Sequence, residues 1–126
     1  MTMTTEITAD EYVRMVKKAE KAEKGHKYRN TPTEVDGIKF DSKAEARRYG
    51  ELMLMMAAGE IGQVILQPRF VIAINGTKIC TYVGDFEYHR RGVRVIEDVK
   101  GVKTPAYRIK KKLMLAVHGI DIEEIT

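Results

Sequence analysis

At 126 residues, with 44% hydrophobic and 32% charged content, the chain suits one globular domain with a single core and does not read as disordered. The net charge of +4 is a modest basic excess, which selects no partner until its placement is known. No apolar run approaches the ~20 residues of a membrane span and no signal peptide is expected; the lone Cys80, read as a small buried hydrophobe, excludes an internal disulfide and fits a reducing cytosol.

The elements follow in chain order. Residues 1–7 read as frayed. Thr8-Ala9-Asp10-Glu11 is a capping box that opens a helix to about Lys24, with Gly25 as its C′ residue. Tyr12, Val13, Met15, Val16 and Ala19 form a thin apolar stripe, too narrow for a core helix. Arg14, Lys17, Lys18, Lys21 and Lys24 are interleaved with acids and spaced around the rest. Such a helix docks on the domain, on a second subunit, or nowhere firmly; assembly or partner grip rather than chemistry is its expected role. His26 to Thr33 reads as a basic linker. Asp36-Gly37 is a hairpin turn between short strands, and Ser42-Lys43-Ala44-Glu45 is a second capping box, opening a helix to about Ala58. Strands are expected at Val64–Gln67, Phe70–Ile74 and, after an Asn75-Gly76 turn, Lys78–Tyr88. Arg90-Arg91-Gly92 turns into Val93–Lys100. Thr104-Pro105 starts a helix to His118, and Ile120–Ile125 is a last strand. From residue 42 onward this is α/β, with helices flanking a mixed sheet. Domain organisation is expected as a helical extension and linker over 1–27 and a main domain over 28–126.

One constellation carries chemistry. Asp98 and Lys100 share a strand face, and Asp85 on the neighbouring strand can meet Asp98 across the ladder. Two adjacent carboxylates repel unless a cation sits between them, and hard oxygen ligands suit Mg²⁺. An adjacent lysine can face a developing negative charge. Together these parts suit metal-assisted phosphodiester hydrolysis. Glu45 is the fourth member: it falls on the flank of the stripe formed by Tyr49, Leu52, Met53 and Met56, so it faces inward, although as residue N3 of its capping box it can also serve only as a cap. Glu97 points away from Asp98, and a one-residue slip would exchange their roles; parity with Lys100 favours Asp98. Glu87 and His89 share parity with Asp85, with solvent-facing or structural roles expected. Between Lys100 and Val117, six cations stand with no acid. Ile109, Leu113, Ala116 and Val117 are the expected buried stripe. Lys103, Tyr107, Arg108, Lys110 and Lys111 are left as candidate phosphate contacts. Competing chemistries lack their parts: there is no P-loop, no clustered zinc ligands and no serine nucleophile motif.

The order Glu45, Asp85, Asp98-Val99-Lys100 resembles the PD-(D/E)XK nuclease superfamily, whose restriction-endonuclease-like core is αβββαβ. More closely, Tyr28-Arg29-Asn30, the run Val35 to Arg47, Leu66-Gln67-Pro68-Arg69-Phe70 and Glu97-Asp98-Val99-Lys100-Gly101 resemble a family of small, mostly uncharacterised phage and prophage proteins assigned to that superfamily. The resemblance spans about 28–126; Gly84 stands where the superfamily often has proline. It implies that Glu45, Asp85 and Asp98 bind Mg²⁺, or Mn²⁺ in its place, and that Lys100 is the catalytic lysine. The implied activity is endonucleolytic cleavage of DNA in a bacterial host cytoplasm. Branched recombination or replication intermediates are the expected substrate, as for a Holliday-junction resolvase, with a homodimer as the acting species. The alternatives are a phage nicking or end-processing nuclease, and a catalytically silent DNA-binding module on the same fold.

Overall fold

The computed structural model describes residues 8–24 and 31–126. Residues 1–7, Gly25, the Tyr28-Arg29-Asn30 motif and most of the expected linker lie outside the described residues. In chain order the elements are α1 (Ala9–Lys24), β1 (Thr33–Val35), β2 (Ile38–Phe40), α2 (Lys43–Ala57), β3 (Ile65–Leu66), β4 (Arg69–Ile74), β5 (Thr77–Val83), β6 (Phe86–Arg90), β7 (Val93–Val99), α3 (Pro105–His118) and β8 (Glu123–Ile125).

Local chemistry explains the boundaries. Thr8, Ser42 and Thr104 each accept a hydrogen bond from the backbone three residues on, at 3.2 Å, satisfying one otherwise orphaned N–H at each helix start. Gly119 closes α3 with φ +67°. Both central residues of the Asp36-Gly37, Asn75-Gly76 and Arg91-Gly92 turns have positive φ, the twist that two-residue hairpins need.

The protein is a mixed α/β fold with three helices. A four-stranded mixed sheet runs β3-β6-β7-β8; β7 and β8 are parallel and the other pairs antiparallel. The hairpins β1-β2 and β4-β5 are separate two-stranded sheets. Lys78–Tyr88, expected as one strand, is broken at Gly84-Asp85, where the chain passes from the β4-β5 hairpin into the mixed sheet. Gly84 donates its N–H to Pro68 O at 2.9 Å. A Cβ on Gly84 would stand 3.2 Å from Ile96 Cγ2 and 3.3 Å from Pro68 Cγ, so a larger residue at the corner would have to push both side chains back by a few tenths of an ångström. The strand expected over Val64–Gln67 shortens to two residues because Gln67 turns to φ +50°. The last strand likewise starts at Glu123 rather than Ile120.

Strand parity divides the core. On one side, Phe70, Ile72, Ile79, Tyr82, Ile96, Tyr107, Leu113 and Met114 pack together. On the other, Phe40, Tyr49, Leu52, Ile61, Phe86 and Tyr88 pack between α2, the first hairpin and the sheet. The apolar stripe of α1 is wide enough to dock on the domain: Val16 is buried in the first cluster, with Ala9, Tyr12 and Val13 packed against it. Burying a side chain of that size contributes about 1.5–3 kcal/mol. Among the described residues no helix is long and apolar enough to cross a membrane.

Candidate active site

The corner at Gly84-Asp85 and the end of β7 form the site. Phe86 is in register with Glu97, so Asp85 continues the ladder opposite Asp98. The Asp85 N–H donates to Glu97 O at 3.0 Å, and the Val99 N–H donates to Asp85 Oδ2 at 2.7 Å. Asp85 is thereby fixed against the strand that carries Asp98. Burial, reinforced by the charge of Asp98 and opposed by the Val99 amide, pushes Asp85 up to about 8. A carboxyl so far from the ordinary aspartate range is held where its ionised form is poorly solvated and faces a like charge.

Asp98 is 2% exposed. Its Oδ2 accepts a 2.5 Å hydrogen bond from the Tyr82 hydroxyl, and Lys100 Nζ stands 3.1 Å from Oδ1. The Lys100 ammonium also lies 4.5 Å from the centre of the Tyr107 ring, a cation–π contact. Burial, and then Asp98, raises the Tyr82 phenol, which therefore stays a donor. Asp98, Lys100, Tyr82 and Tyr107 line one cavity of about 240 Å³. Glu45 and Asp85 line a second, of about 130 Å³, with Lys39 and Gln67. Glu45 is half-buried at the start of α2. Burial first, and then Asp41, raises its carboxyl, with Asp98 adding in the same direction and Lys100 opposing. Each of the four sequence-predicted residues thus lies within electrostatic reach of at least two of the others. As the side chains stand, no three His, Cys, Asp or Glu among the described residues are grouped closely enough to hold a metal ion.

Glu97 occupies the opposite face, so the register is the one that parity favoured. It is fully buried and holds Arg48 of α2 in a bidentate pair, Nε to Oε1 at 2.8 Å and Nη2 to Oε2 at 2.6 Å. The Tyr88 hydroxyl also donates to Oε2. Glu87 pairs with Arg94 at 2.9 Å, and His89 is exposed.

The expected phosphate-contact face of α3 needs correction in two respects. Tyr107 is buried rather than exposed, because the inward face is set by Ala106, Tyr107, Leu113 and Met114; Ala116 and Val117, expected inside, are exposed. The cations are also not unopposed. Lys103 and Lys111 both pair with Glu124 of β8, and Lys110 pairs with Glu20 of α1 at 2.9 Å. The local sequence holds no acid, but the fold imports two. Arg108 is exposed.

Sequence reasoning missed Tyr82, Tyr107 as the ring beneath Lys100, Arg48 and Gln67. For Tyr82 a signal existed: a tyrosine inside an apolar strand must find a partner for its hydroxyl. For Arg48, an arginine three residues after Glu45 on the same helix face gave a weaker one.

Residues 25–122 match a family of proteins of unknown function, DUF1064, and the chain belongs to it. The match begins where α1 ends. No curated protein and no solved structure matches the chain.

Proposed function

We propose that this protein is a Mg²⁺-dependent DNA endonuclease of PD-(D/E)XK type, acting on branched recombination or replication intermediates. One observation carries the reading: the half-buried Asp85 stands on the ladder beside the buried Asp98, with Asp85 pushed up to about 8 and Lys100 held against Asp98. The donor set fits a hard divalent cation. Mg²⁺ ordinarily takes one or two carboxylates, completing its shell with water and substrate phosphate, so Asp85 and Asp98 suffice without a third ligand, and Glu45 lies at the rim of the same corner. Mn²⁺ suits the same oxygens.

When bound, the cation would neutralise the two carboxylates and stabilise charge on the scissile phosphate. The chain's own residues do the rest. Tyr82 and Lys100 each hold one oxygen of Asp98 and so fix its plane. The Val99 amide fixes Asp85. Lys100, seated on the Tyr107 ring, presents an ammonium beside the carboxylates, where a positive charge stabilises the anionic transition state. Burial of Asp98 and half-burial of Lys100 exclude bulk water and strengthen each of these interactions. Structure-selective cutting by a homodimer suits a chain whose elements are all engaged in one small fold, since two symmetric sites match the symmetry of a junction.

The test is cleavage of a four-way junction, a flap, a nicked duplex and a single strand, each with Mg²⁺ and with EDTA. Mg²⁺-dependent cutting of the junction or flap, abolished by Asp98→Asn, is expected. Binding without cleavage on every substrate would favour a silent scaffold instead.

A further inference from the structure

We infer that α1 is a nucleic-acid grip, laid against the active-site cavity and contacting duplex phosphates through Arg14, Lys17, Lys18 and Lys21. These four stand at i, i+3, i+4 and i+7 of one helix, the spacing that gathers side chains on a single face, and all four are exposed. They are therefore not distributed around the helix. The opposite face is fully committed: Val16 is 1% exposed, and Ala9, Tyr12 and Val13 pack on the same cluster. The helix cannot roll without losing that burial.

One of its acids, Glu20, is turned away from the cationic strip. Glu20 turns inward to Lys110 at 2.9 Å, leaving the outward strip cationic over its last turns. Asp10 and Glu11 sit in the first turn and confine the strip to the residues downstream of them. Position adds the functional link. Glu20 and Lys110 line the cavity that holds Asp98 and Lys100, so the salt bridge fastening α1 to α3 lies on the rim of that cavity. The α3 cation that the bridge neutralises is replaced by four cations on α1. From Arg14 to Lys21 the helix rises about 10 Å, a length over which duplex DNA carries roughly six phosphate charges. A rigid, straight row of cations suits such a rod better than a flexible anionic chain. The matched family region begins after α1, which marks this grip as an addition to the family core.

The inference takes from the proposed function only the identity of the polyanion, and binding is measured without cleavage. Fluorescence anisotropy of a labelled duplex and a labelled junction, in EDTA across a salt series, compares wild type with the Arg14→Gln, Lys17→Gln, Lys18→Gln, Lys21→Gln quadruple variant. Glutamine keeps helix propensity, and circular dichroism checks that the helix content is unchanged. The expected result is a plot of log affinity against log salt shallower by about 3 to 4, near 0.9 per lost contact, with affinity at least about tenfold weaker at 100 mM salt. An unchanged slope and affinity overturns the inference and makes the strip a solvated face. Binding to anionic lipid vesicles with none to DNA also overturns it. DNA binding that depends on the four cations, in a protein that cuts nothing, sustains the inference and overturns the endonuclease reading alone.

Discussion

Asp85→Asn separates a strained carboxylate pair from an ordinary one. Burial and the neighbouring Asp98 push Asp85 up to about 8 in the folded protein, whereas an unfolded aspartate titrates near 3.9. The folded state therefore binds this proton more tightly than the unfolded state. The stability it contributes is complete below the unfolded value and is lost as pH rises through about 8. Each tenfold step in proton affinity corresponds to about 1.36 kcal/mol, so between pH 5 and pH 9 the group costs the metal-free protein at most about 4 kcal/mol. Relaxation and water penetration lower the effective figure to something on the order of 2 kcal/mol. Asparagine keeps an oxygen for the Val99 N–H, which now donates at 2.7 Å, and removes the titration. Urea unfolding in EDTA at both pH values, for both proteins, isolates the term as a difference of differences. The variant should gain on wild type by about 2 kcal/mol or more on going from pH 5 to pH 9. Saturating Mg²⁺ should recover the wild-type deficit, by about 2.7 kcal/mol at a hundredfold excess over Kd. A stability gap between the two proteins that is the same at both pH values would falsify the idea that the pair is electrostatically strained.

Three further outcomes test the surrounding residues. Lys100→Ala should slow single-turnover cleavage on the order of a hundredfold, as loss of a charge contact to the transition state does, while Mg²⁺ binding by calorimetry persists; a rate within a few-fold of wild type would make the lysine a partner of Asp98 and nothing more. Glu45→Gln keeps the Ser42 hydrogen bond, which comes from the Glu45 backbone, so urea stability should change by less than about 1 kcal/mol while cleavage falls at least tenfold. Arg48→Ala strands the fully buried Glu97 and should cost about 3–5 kcal/mol in urea unfolding, whereas Arg48→Met with Glu97→Leu should be near neutral. If the double variant is as unstable as the single one, packing rather than uncompensated charge explains the loss.

The helix starts were legible because each is written by three or four adjacent residues: Thr8, Ser42 and Thr104 announce their caps in the sequence. The parity of Asp98 and Lys100 was equally legible, since side-chain alternation along a strand follows from backbone geometry alone. What escaped was everything decided between elements. Within Lys78–Tyr88 the local sign of a corner is Gly84, a residue that marks bends in strands, but what the corner packs on, Ile96 and Pro68, is decided between elements. The face of α3 was misread by part of a turn for a related reason. Tyr107 has the profile of a surface aromatic until β5 and β7 bring Tyr82 and Lys100 against it. The unopposed charge on α3 likewise held only within its own segment, because β8 and α1 supply two acids that pair with three of the segment's cations.

The same distinction bears on the site itself. The sequence suggests three converging carboxylates, with Glu45 open to a capping role, and the fold treats the three differently. Asp98 is locked by Tyr82 and Lys100, Asp85 is locked by a backbone amide but left with a displaced titration, and Glu45 lies in a neighbouring cavity with Asp85. A pair of fixed carboxyl groups with a third at the rim is the arrangement on which the proposed cation site rests. In the proposed endonuclease, preorganisation of this kind would let charge stabilisation act without a reorganisation cost. The Arg48–Glu97 pair lies on the other face of β7. It ties the helix that carries Glu45 to the strand that carries Asp98, so the spacing between rim and floor is set by a bidentate contact rather than by loop conformation.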